Sequence, residues 1–224
     1  MKILTFSFDD CTEEDIRLVA LMNKYGVKGT FNLTSSWLTA KNRSLNCDKK
    51  SVCHINYTEH RHLYDGHEIA CHSFSHPNLL NCDDETVYNE IFLDKKILEY
   101  LFECDIVGMA YPGGGYNDKI KVTARKCGIK YARTVTRTYG FAPPADPLEW
   151  KPTCHFKNPE REELADKFLS LDTEGDAVFY IWGHSYEFET EDDWSSFEAL
   201  LSRLSGRDDV LYLTNSETLS ALGI

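Results

Sequence analysis

Two adjacent aspartates, Asp9 and Asp10, close one apolar run in KILTFSFDD, and two histidines four apart, His72 and His76, close another in HEIACHSFSHP. A third run, DAVFYIWGH, ends on His184. One carboxylate and two neutral imidazoles make a three-donor set for a borderline divalent ion such as zinc, and leave positions open for water and substrate. The second carboxylate of the Asp pair then stays free to accept a proton. Each piece also has a plainer reading. An Asp-Asp pair serves as a turn or helix cap, and two histidines four apart are more often unliganded. A closed structural zinc would call for a fourth ligand, typically cysteine, and Cys71 lies on the opposite side of an extended chain from His72.

The elements that must position these groups alternate along the chain. Strand-like KILTFSF, VKGTFNL, HEIACH, DIVGMAY, IKYART, DAVFYIWGH and VLYLTN are separated by helix-like segments such as EEDIRLVALMNKYG and DDETVYNEIFLDKKILEYLFE. In the first helix Ile16, Val19, Ala20 and Met22 fall near one face. This order implies an α/β fold with a mainly parallel sheet, and about seven alternations imply a distorted (β/α) barrel of about seven strands. Active sites of such barrels lie at the carboxyl ends of the strands. His184, Asp9, Asp10, His72 and His76 all sit at such ends, whereas His67 begins a strand and reads as structural. The polar stretch from Lys41 to Asp65 reads as a surface excursion, so His54, His60 and His62 are expected in solvent.

The chain has 224 residues, of which 42% are hydrophobic, enough for one packed core, so residues 1–224 are expected to form one domain. A formal charge of -12 argues against nucleic acid or an anionic membrane as partner and favours a small-molecule or oligosaccharide substrate. No run is long enough to span a bilayer and none resembles a signal peptide, so the chain as it stands reads as cytoplasmic; a lost leader would make it secreted or periplasmic. The eight cysteines show no CxxC pair, and buried single thiols are expected. Only Cys47 and Cys53 are close enough to invite a local bridge.

TFSFDD, HSFSHP and IWGH resemble the first, second and last motifs of the polysaccharide deacetylase family, also called the NodB-homology domain or carbohydrate esterase family 4. The resemblance implies a TIM-barrel-like NodB-homology fold and removal of acetyl groups from N- or O-acetylated sugars with a divalent metal. Zinc is the expected ion, and cobalt, nickel, manganese or iron are compatible. It further implies Asp9 as general base, His184 as general acid and Asp10, His72 and His76 as metal ligands. The third motif departs from the family: AYPGGGYN has Ala110 where an arginine is usual and Gly113 in the aromatic slot. Arg133, at the end of the next strand, is a candidate to supply the missing guanidinium, with a surface salt bridge as the competing reading. Tyr111 and Gly113 are candidates for substrate or oxyanion contact. The fourth motif is indistinct; Asp146 or Trp150 of ADPLEWKP could serve, Trp150 as a sugar platform or as core. Tyr186 and Glu187 are candidates for substrate contact. The expected activity is thus a metal-dependent hydrolase of carbon–nitrogen bonds acting on an N-acetylated saccharide. The alternatives are a hydrolase of non-sugar, cyclic-amide bonds on the same fold, or a silent carbohydrate-binding module.

Overall fold

A computed structural model of the chain describes residues 1–38, 44–47, 50–172 and 175–224, with backbone only at 44–47, 50 and 51. In chain order the elements are β1 (Lys2–Asp9), α1 (Asp15–Lys24), β2 (Gly29–Leu33), α2 (Ser35–Leu38), β3 (Ser44–Cys47), β4 (Lys50–Cys53), β5 (Glu68–Cys71) and α3 (Asp84–Phe102). There follow β6 (Gly108–Ala110), α4 (Asp118–Lys126), β7 (Tyr131–Arg133), β8 (Cys154–His155), α5 (Arg161–Leu169), β9 (Ala177–His184), α6 (Glu191–Leu204), β10 (Val210–Tyr212) and α7 (Asn215–Ala221).

β1 is buried at every position after Lys2, the near-continuous apolar pattern of a parallel strand covered on both faces. Seven strands run side by side in the order β7-β6-β5-β2-β1-β9-β8, and β10 pairs in parallel with the start of β1. The sheet curls. The amide of Trp150 donates to the carbonyl of Ala132 and that of Thr134 to the carbonyl of Trp150, so the segment leading into β8 links β7 back toward β9. The expected distorted parallel barrel is what forms. Helix starts carry their own signals: Asp83 caps α3 through Thr86 N at 2.7 Å, with Asp84 and Glu85 in its first turn.

Three expectations need correction. The buried face of α1 is Asp15, Leu18, Val19 and Met22, whereas Ile16 and Ala20 are exposed. Val19 and Met22 lie on the core face as expected, but that face extends toward Asp15 and Leu18, which leaves Ile16 and Ala20 turned outward. β8 is missing from the expected strands because two residues cannot display an alternation. The 41–65 stretch is not simply a surface excursion: β3 and β4 form an antiparallel pair, and His54, Ile55 and Tyr64 behind it are buried. His62 does lie in solvent. Cys53, close enough in sequence to Cys47 to invite a local bridge, is a free thiol, and the Cys47 side chain lies outside the described residues. Among the described residues no helix is long and apolar enough to cross a membrane.

His67 precedes β5 on the face opposite the strand ends, with Nδ1 accepting from Gly29 N and Nε2 donating to Asn23 Oδ1, each at 3.1 Å. Burial, with Lys28 adding to it, lowers its imidazole to about 4. The unfolded chain therefore takes up the proton first, near 6.5, and stability is lost as pH falls from there to about 4. Chemical denaturation at pH 7 and pH 4.5 should show His67→Gln losing roughly 1–3 kcal/mol less than the parent over that interval.

Candidate active site

The parallel register brings the strand ends together. Asp9 lies opposite Asn32 of β2 on one side and His184 of β9 on the other, and Ala110 of β6 lies opposite Arg133 of β7. Alternation along a strand would send Asp9 and Asp10 to opposite faces. Asp10 has φ 79° and Cys11 φ 45°, and this turn brings both carboxylates into one cavity. Non-glycine residues in that region cost about 1–3 kcal/mol each and need support from their surroundings. The support here is His54, whose Nδ1 donates to the Asp10 carbonyl at 2.8 Å, and Ile55, whose amide donates to the Cys11 carbonyl at 2.8 Å.

Asp9 is 2% exposed and both its oxygens are engaged: Oδ2 pairs with Arg133 Nη2, and Oδ1 accepts from Asn32 Nδ2 at 2.8 Å. Burial alone would raise this carboxyl, but Arg133, then His72, His184 and Asn32, reverse the effect and hold it at about 2. The Arg133 guanidinium, itself 1% exposed, lies 4.3 Å from the ring centroid of Trp182. Arg133 is thus not a surface residue; it reaches Asp9 from the strand beside Ala110.

Asp10 Oδ1, His72 Nε2 and His76 Nε2 form a compact set, with edges of 3.1, 3.6 and 3.7 Å. Ligands held 2.0–2.1 Å from a tetrahedral ion stand roughly 3.4 Å apart, so the set fits a small divalent cation. Asp10 Oδ1 is also buried without a hydrogen-bond partner, an orphan that a cation would satisfy. His72 is oriented as a ligand by its other ring nitrogen, since Nδ1 donates to the Ala110 carbonyl at 2.9 Å and so turns the Nε2 lone pair inward. Burial, with smaller help from His76 and Arg133, lowers His72 to about 4 and keeps it neutral. Buried Asp94 of α3 accepts from the amides of His72 at 3.0 Å and Ser35 at 2.8 Å, and Trp37 stacks on His76 at 5.2 Å. No cysteine joins the set among the described residues.

His184 Nε2 stands 3.8 Å from Asp9 Oδ2 and from Asp10 Oδ2, while Nδ1 donates to Glu187 Oε2 at 3.1 Å. Burial would lower its imidazole; Glu187, then Asp9 and Asp10, outweigh burial and raise it. These groups line a cavity of about 470 Å³, walled also by Trp37, Tyr111, Gly113, Val135, Trp182 and Tyr186.

Several candidates fall elsewhere. Trp150 is 2% exposed and packs on Tyr180 at 4.7 Å and Tyr131 at 5.8 Å, so it is core and offers no sugar platform. Asp146 pairs with Lys121 at 2.5 Å, away from the cavity. Tyr111 contributes a wall, but its hydroxyl donates to Leu148 O at 2.9 Å and its amide to Arg133 O at 3.1 Å, so neither is free to reach an oxyanion. Glu187 holds His184 rather than lining the cavity. His54, expected in solvent, is buried under Trp37, 4.5 Å between ring centroids. Asn32, Trp37 and Trp182 join the site without having been expected there; a polar residue inside TFNL and a tryptophan two before His184 are the signals they leave.

The family model described as polysaccharide deacetylase matches residues 1–132. Among curated proteins, peptidoglycan-N-acetylglucosamine deacetylase of Bacillus cereus is 25% identical over 79% of this chain and 71% of its own length. Among solved structures, a family 4 acetyl xylan esterase from Clostridium thermocellum in complex with a cobalt ion matches 100% of this chain and 93% of its own, with TM-score 0.60 and 16% identity. The deacetylase PplD of Streptococcus pyogenes in complex with acetate matches with TM-score 0.51 and 20% identity; the match covers 58% of this chain and only 55% of that one.

Calorimetric titration of metal-stripped protein with Co²⁺ should give one site per chain, lost in Asp10→Ala. His54→Phe, which removes the hydrogen bond to the Asp10 carbonyl and leaves the three donors in place, should weaken it by about 10–100-fold.

Proposed function

The chain belongs to the polysaccharide deacetylase family, and from that premise we propose that residues 1–224 act as one domain, hydrolysing the acetamide of an N-acetylated saccharide with a divalent ion held by Asp10, His72 and His76. The observation that carries this reading is the buried, ion-paired Asp9 beside a three-donor set whose Asp10 Oδ1 lacks any other partner, with His184 facing both. Zinc suits one carboxylate and two imidazoles, and the cobalt bound to the Clostridium thermocellum esterase is consistent with such an ion. The name of the Bacillus cereus relative directs the choice of sugar to N-acetylglucosamine.

A divalent ion in this set supplies Lewis acidity toward the acetyl carbonyl and toward water. Asp9, kept ionised by Arg133 and Asn32, accepts the proton released as water adds to the acetyl carbon. His184 presents Nε2 to the same space and delivers the proton that the amine nitrogen needs as the C–N bond breaks, leaving acetate and a free amino sugar. Trp37, Trp182 and Tyr186 give the sugar apolar faces to lie against.

Metal-stripped and Zn²⁺- or Co²⁺-loaded protein should be incubated with N-acetylglucosamine oligomers and released acetate followed. Metal-dependent release that disappears in Asp9→Asn is expected; no release with any added metal would overturn the saccharide reading. Arg133→Ala should lower kcat on the order of 10²-fold with a small change in KM; unchanged turnover would remove Arg133 from the machinery.

A further inference from the structure

β8 ends on His155, directly opposite Trp182 of β9, and its ring stands edge-on to that indole at 4.9 Å between centroids. Its place beside β9 depends on Gly183. A Cβ there would meet Phe156 Cδ1 at 2.2 Å and His155 Nε2 at 3.1 Å, so any larger residue would displace this ring or its neighbour. The hydrogen bonds define the proton positions. His155 Nδ1 accepts from Lys157 N at 3.1 Å, which places the proton on Nε2, and Nε2 lies 2.9 Å from Glu187 Oε2. The same oxygen accepts from His184 Nδ1 and from the His184 amide, both at 3.1 Å. Three donors converge on one carboxylate oxygen. The three side chains also stand close enough to hold an ion, but, unlike Asp10 Oδ1, none of their polar atoms is buried without a partner.

We propose that His155 is a positioning residue: it anchors Glu187, and Glu187 in turn holds the Nδ1–H of His184, so that Nε2 faces the cavity and, when the ring carries its second proton there, delivers it to the leaving group. His155 thereby governs that protonation. The tautomers rest on hydrogen-bond geometry alone; the effect on protonation rests on the hydrolase reading above. Without the His155 donor, Glu187 keeps only its contacts to His184 and is free to rotate toward solvent, being 27% exposed on its side chain. His184 then loses the acceptor that orients its ring.

Two measurements test this, and they fail separately. Long-range ¹H–¹⁵N correlation spectra of ¹⁵N-histidine-labelled protein, recorded at a pH where both rings are neutral, should show His155 protonated at Nε2 and His184 at Nδ1. In His155→Phe the His184 signal should shift toward a tautomer mixture. His155 found protonated at Nδ1, or an unchanged His184 in the variant, would overturn the proposal whether or not any sugar is a substrate. The second measurement compares acetate release from N-acetylglucosamine oligomers with cleavage of 4-nitrophenyl acetate, whose nitrophenolate departs without a proton. His155→Phe should lower kcat on the amide by about 10-fold or more, with KM little changed, and leave the aryl ester within about twofold. His155→Gln, which keeps an N–H donor for Glu187, should recover most of the loss. An equal loss on both substrates would mean a merely structural role and would overturn the proposal.

Discussion

A buried ion pair is the constraint that organises this molecule. Arg133 and Asp9 are both almost fully removed from water, and a buried charge left without its partner costs about 3–5 kcal/mol. Neither residue can move without the other. Asp9 ends β1, the strand that pairs with β2, β9 and β10, whereas Arg133 ends β7 at the far edge of the curled sheet. Their contact crosses the barrel mouth and ties the edge strand β7 to the interior strand β1. Asn32 takes the second oxygen of Asp9 and Trp182 covers the guanidinium, so the charges are compensated from β2, β7 and β9 at once.

Around this pair the backbone is bent out of its ordinary regions. Asp10, Cys11, Ser73 and His76 all have positive φ, and all lie in the two turns that deliver the three-donor set. Such turns persist only when neighbouring atoms hold them. His54 grips the first turn through the Asp10 carbonyl, and Ser73 Oγ accepts from the His76 amide at 3.1 Å in the second. Asp94 reaches up from α3 to the amide where that second turn begins. The 41–65 region, polar in composition, is therefore partly a brace for the site.

The legible part of the site was the part written in strand ends. Asp9, Asp10, His72, His76 and His184 follow apolar runs, and a parallel barrel sends every such end to one mouth, so their meeting follows from topology. Residues whose role depends on which strand lies next to which left weaker traces. Arg133 could be suspected only because Ala110 was conspicuous, and register then places the two side by side. Trp150 has the residue type of a sugar platform, yet it faces the core cluster with Tyr131 and Tyr180. His54 sits among Asn, Lys and His, a composition typical of solvent, and only a tertiary contact with Trp37 buries it. His155 sits on a two-residue strand, and its histidine in TCHF has no spacing relation to His184 that a pattern could detect.

The span of the family match has a physical counterpart. It ends at residue 132, so Asp9, Asp10, His72 and His76 lie within it, whereas Arg133, His155, His184 and Glu187 lie beyond. A metal set tolerates little variation, because three donors must converge within a fraction of an ångström on one ion. Groups that act on Asp9 and His184 face a looser requirement: a guanidinium must reach one carboxylate, and a carboxylate must reach one imidazole. Since Ala110 and Arg133 are register partners on adjacent strands, the same positive charge can be delivered to Asp9 from either end. Glu187, three residues beyond His184, likewise meets its imidazole from a turn on the same strand rather than from the ADPLEWKP segment. In this chain the supporting charges thus reach Asp9 from the end of β7 and His184 from the turn that follows β9.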